Sequence, residues 1–70
     1  MTNDLITPQQ AVLALIARGH TDEQVAVMVG DKLGATNPSA QAVRRWRSGR
    51  GSPARVYREA LMRVYADIFG

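Results

Sequence analysis

Between Asn37 and Arg50 the chain gathers four arginines, Arg44, Arg45, Arg47 and Arg50, with Gln41 and two serines, and no acid. A guanidinium is a rigid fork of donors that matches two phosphate oxygens or the outer edge of guanine. A glutamine amide can bond an adenine edge in the same two-point way. The chemistry open to these residues is recognition of a polyanion, and for that they must share a face. At about 100° per residue, a helix puts Ala40, Gln41, Arg44, Arg45 and Ser48 on one side and Ser39, Ala42, Val43 and Trp46 on the other. The second side can pack; the first must meet water or a partner. A solvated basic face ordinarily mixes signs, whereas nothing within this stretch neutralises its arginines.

The charge is also placed unevenly. Residues 1–43 hold Arg18 and Lys32 against Asp4, Asp22, Glu23 and Asp31, a balance of −2, while residues 44–63 hold seven arginines against Glu59, a balance of +6. With Asp67 the chain has a formal net charge of +3. Cationic density concentrated where the outward helix face begins is the electrostatic footprint of a nucleic-acid binder.

Four helices are predicted to position this face, over about residues 8–18, 22–33, 38–48 and 53–68 of a single domain spanning 1–70. Thr7 caps the first, with Pro8 at its first position and Gln10 completing a capping box. Val12, Leu15 and Ile16 form its inner stripe, and Gly19 ends it. Thr21 and Gln24 repeat the box before Val25, Met28, Val29 and Leu33. The second helix is expected to run through Gly30, at a cost of ~1 kcal/mol, because Leu33 lies one turn beyond Val29. Asn37-Pro38 and Ser52-Pro53 are read as cap-and-first-residue pairs for the last two helices, with Gly49 stopping the third. Tyr57, Ala60, Leu61, Val64 and Ile68 make the inner stripe of the fourth. Arg55, Glu59, Arg63 and Asp67 mark its wet side. There is no strand signal, repeat or linker, so the fold class is all-α.

Thr21-Asp22-Glu23-Gln24-Val25-Ala26, followed by Val43-Arg44-Arg45-Trp46-Arg47-Ser48-Gly49, resembles the helix-turn-helix domain of the lambdoid phage repressor and Cro class over about residues 8–65. The family pattern is a capped second helix, Thr-x-x-x-apolar-Ala, and a third helix ending apolar-x-x-aromatic-x-x-Gly. Two features depart from it: the Gly30–Asn37 connection is longer by roughly three residues than the family's turn, and Asp22 stands where the class often has a phosphate-bonding Gln. The resemblance implies a compact four-helix domain containing a helix-turn-helix with a lengthened turn. It implies that Ser39, Ala40, Gln41, Arg44 and Arg45 face DNA bases, and that Thr36, Asn37, Arg47, Ser48, Arg50 and Arg55 touch phosphates. Val43 and Trp46 match packing positions.

The expected function is sequence-specific binding of double-stranded DNA by a small phage- or bacterial-type transcriptional repressor. One recognition helix reads only ~4–5 base pairs, so a homodimer on an inverted repeat is expected, with half-sites about 34 Å apart. Met62, Tyr65, Ile68 and Phe69 are its candidate contact. The alternative is a protein-interaction module, such as an antitoxin, adaptor or anti-activator, whose basic patch meets an acidic protein partner. RNA binding is less favoured, since no aromatic RNP-like strand or GXXG loop is present.

Other classes lack their residues. No phosphate-cradling Gly-rich loop, G-x-S-x-G elbow or paired inward carboxylates point to an enzyme, and no cofactor is expected. His20 is the only histidine and there is no cysteine, so neither a metal site nor a disulfide is expected. Met1 to Ile6 carries an acid and no basic run, and no window approaches the ~20 apolar residues of a membrane span. A cytoplasmic protein without a membrane partner is expected, and Glu59 and Asp67 argue against residues 53–69 lying on anionic lipid.

Overall fold

Thr7 and Thr21 each begin a helix by the same local exchange. Gln10 N–H donates to Thr7 Oγ1 (3.1 Å) while Thr7 N–H donates to Gln10 Oε1 (2.9 Å); Thr21 and Gln24 repeat it at 3.1 and 3.0 Å. In this computed structural model, which describes residues 6–70, the element order is α1 (Pro8–Ala17), α2 (Asp22–Leu33), α3 (Ala40–Ser48) and α4 (Arg55–Phe69). The expectation drawn from Met1 to Ile6 falls, apart from Ile6, outside the described residues, as does Asp4. Among the described residues every regular element is a helix, and none is long and apolar enough to cross a membrane.

Both capping boxes and the passage of α2 through Gly30 agree with the sequence reading. The starts of the last two helices do not. The cap of α3 is Ser39, whose hydroxyl accepts from Ala42 N–H at 3.0 Å, and the cap of α4 is Ala54, with no side-chain bond. Ser39 therefore belongs to an exposed helix start rather than to the packing side. Pro38 and Pro53 each stand one residue before the cap, and both are buried. At that position an apolar residue can close on the helix's first turns, as in a hydrophobic staple. Their burial as packing pieces places the helix start after them. Only Pro8 occupies a first helical position.

Asn37 does not cap α3; it lies against α2 at Gly30. A Cβ added to Gly30 would stand 2.8 Å from the Asn37 Cα and would overlap its side chain. The connection from Gly34 to Ser39 thus crosses α2 where that helix has no side chain. Gly30 in a helix interior, unfavourable by propensity, is what lets the connection to α3 run close against α2 at Asn37.

Each helix contributes its stripe to one core: Ala11, Val12 and Leu15 from α1; Val25, Ala26 and Val29 from α2; Val43 and Trp46 from α3; Ala60, Leu61 and Val64 from α4. Tyr57, Met28, Leu33 and Ile68 close its edges. α2 packs chiefly on α4 and α3, and α1 on α3 and α4, while α1 and α2 scarcely touch. The described chain measures 31 × 25 × 24 Å with a radius of gyration of 10.6 Å. Most of the buried side chains are Ala or Val, so Leu15, Leu61 and Trp46 are the large pieces that fix the packing.

Candidate nucleic-acid interface

Two turns of helix pin α3 by one face. Val43 is fully buried, Trp46 is 6% exposed, and the indole meets the Tyr57 ring of α4 at 6.0 Å between centroids and 42° between planes. With that side fixed, Gln41, Arg44, Arg45 and Ser48 project to solvent, and Ala40 is half-buried at the first helical position. The C-terminal end is locked as well. Gly49 adopts φ +79°, its N–H donates to the Trp46 carbonyl (3.2 Å), and Arg50 N–H donates to the Arg45 carbonyl (3.1 Å). This paired closure requires a left-handed residue, the conformation glycine tolerates best.

The outward face opens onto a cleft of about 420 Å³ lined by Ser39, Gln41, Ala42, Arg45, Trp46, Gly51 and Ser52. Along one wall the Arg45 guanidinium lies beside the α3–α4 loop, where a Cβ on Gly51 would be 3.9 Å from its Nε and Nη2. Among the described residues Arg45, Arg50, Arg58 and Arg63 have no carboxylate within ion-pairing distance. Their charge is directed outward, which is what a polyanion requires.

Arg44, Arg47 and Arg55 each have a carboxylate nearby. Arg47 Nε donates to Asp22 Oδ1 at 3.0 Å and its Nη2 to Asp22 Oδ2 at 3.4 Å, a forked pair in which the carboxylate side chain is only 14% exposed. Arg44 Nε approaches the same carboxylate at 3.5 Å, although that side chain stays 64% exposed. Arg55 and Glu59 form an i,i+4 pair at 3.5 Å that is almost wholly in solvent, worth at most a few tenths of a kcal/mol. Lys32 pairs with Asp67, joining α2 to α4.

The residues expected to face bases thus divide. Ser39, Gln41 and Arg45 border one cleft, Ala40 lies beside them, and Arg44 leans toward α2. Among those expected to touch phosphates, Thr36 and Arg50 are exposed, Asn37 lies against Gly30, and the Ser48 hydroxyl donates to the Arg45 carbonyl at 2.9 Å. Arg47 is held by the Asp22 carboxylate, while Arg55 stays exposed beside Glu59. The chain matches no family model, no curated protein and no solved structure.

Two participants escaped the sequence reading. Asp22 reads in the sequence as a first-turn acid and a departure from the family pattern, and its position at the start of α2 gives no sign that it meets α3. Gln9 donates from Nε2 to the Arg47 carbonyl at 3.2 Å, across a separation of 38 residues that no local pattern reveals. Together they hold Arg47 by side chain and by backbone. The candidate dimer residues are less open than expected: Met62, Tyr65 and Ile68 are half-buried against the core. Phe69 is 39% exposed, stacks on Tyr65 at 4.7 Å and has the Arg18 guanidinium 5.3 Å from its ring centre.

Proposed function

We propose that this chain binds double-stranded DNA in a sequence-specific manner, as a helix-turn-helix domain similar to those of the lambdoid repressor and Cro class. In this reading α2 braces α3 through a lengthened turn, and α3 enters the major groove with its outward side. The observation that carries it is Arg45, exposed beside Gln41 at the polar cleft and unpaired among the described residues, on a helix whose opposite side Val43 and Trp46 immobilise. A forked donor held on a rigid element, with no internal partner, suits the guanine edge, and Gln41 suits adenine. Arg50, in the loop after α3, would reach a phosphate and set register.

The reading includes a two-fold dimer, for which Phe69 and the exposed edges of Met62, Tyr65 and Ile68 are the contact, and a role as a small transcriptional repressor. Selection from a random duplex library at ~100 mM salt tests partner class and symmetry together. The expected product is an inverted repeat with half-sites about 34 Å apart. A library that yields no enrichment, with a chain that remains monomeric by light scattering, would overturn it in favour of a protein-interaction module.

A further inference from the structure

We infer that Asp22 withdraws Arg47 from DNA, acting as an internal stand-in for a phosphate and limiting the sequence-independent part of binding. The inference rests on the DNA-binding reading above, and it reverses the role that the family resemblance implies for Arg47. The geometry is that of a phosphate contact already satisfied: both Asp22 oxygens accept from Nε and Nη2 of one guanidinium, at 3.0 and 3.4 Å. The carboxylate is mostly shielded from water, and Gln9 fixes the Arg47 backbone at 3.2 Å, so the pair is held from both sides. Of the three arginines on α3, Asp22 reaches Arg47 in a forked pair and Arg44 at 3.5 Å but not Arg45, and among the described residues it is the only acid that reaches any of them.

The consequence concerns balance rather than strength. Phosphate contacts tighten binding to every duplex equally, whereas contacts to base edges separate one sequence from another. By neutralising Arg47 and leaving Arg45 unpaired, the fold holds back a general contact and keeps a discriminating one.

The test is fluorescence anisotropy on a selected and a random duplex from about 50 to 200 mM salt, with the wild type, Asp22→Asn, Asp22→Asn/Arg47→Met and Arg50→Ala. Released in Asp22→Asn, Arg47 neutralises one more phosphate. The plot of log affinity against log salt steepens by about 0.9, an additional ~3.5-fold loss over that range, by the same factor on both duplexes. The double variant lacks both members of a neutral pair and returns to the wild-type slope. Arg50→Ala flattens the slope by about 0.9 and calibrates the assay. An Asp22→Asn slope equal to wild type overturns the inference alone. So does a double variant flatter than wild type by about 0.9, since Arg47 would then touch phosphate in the native protein. Should Asp22→Asn fail to fold, the double variant decides. A folded wild type that binds neither duplex removes the DNA reading itself, and the inference with it.

Discussion

Replacing Gly30 by alanine sets two effects of opposite sign against each other. In a helix interior alanine is favoured over glycine by ~1 kcal/mol, so an isolated α2 would gain from the change. In the folded chain the new methyl would stand 2.8 Å from the Asn37 Cα, closer than real Cβ atoms come, and would also collide with the Asn37 side chain. A side chain can rotate away; a backbone atom takes the connection with it. Overpacking of this kind costs about 1–3 kcal/mol, and against the propensity gain the net expectation is a loss of up to about 2 kcal/mol. For a domain of this size that lowers the melting temperature by up to roughly 16 °C. Thermal unfolding followed by far-UV circular dichroism measures it directly. Adding Asn37→Gly to Gly30→Ala should restore part of the loss, because the side-chain collision goes and the Cα approach stays. A Gly30→Ala protein that melts above the wild type would mean that the connection does not cross α2 at that point.

Other substitutions separate local from tertiary contributions. Thr21→Ala removes one half of a capping box and should cost about 0.5–2 kcal/mol in urea unfolding; an unchanged midpoint would show that the Gln24 bond contributes nothing. Trp46→Ala empties the largest buried piece of α3 at about 3–5 kcal/mol, much of the stability of a domain this small, so far-UV ellipticity should fall sharply, while Trp46→Phe should retain the helices. Arg45→Ala should relax sequence preference at a cost of ~1–3 kcal/mol in competition anisotropy between selected and mismatched duplexes; equal weakening on all duplexes would assign Arg45 to phosphate instead.

What could be read in the residues was short-range. A threonine and a glutamine three positions apart can exchange hydrogen bonds without the rest of the protein, so the starts of α1 and α2 were legible as chemistry. The stripes of α2 and α4 were legible because a helix repeats its faces every three to four residues. The cap of α3 was not, since both Asn37 and Ser39 are good caps; the choice between them fell to Gly30, seven residues back, which takes up Asn37. The same applies to Pro38 and Pro53, which satisfy first-position rules locally but are buried one residue before the cap.

By itself, then, the sequence determined an all-helical chain with an arginine-rich face opposite a Val43–Trp46 seam, because charge, capping and periodicity act within one or two turns. Which of those arginines stays available was decided only by the tertiary structure. Asp22 and Arg47 are 25 residues apart, and Gln9 and Arg47 are 38 apart. An ion pair forms where packing delivers its members, and the packing of α3 against α1 and α2 delivers Arg47 to a carboxylate while leaving Arg45 to the solvent.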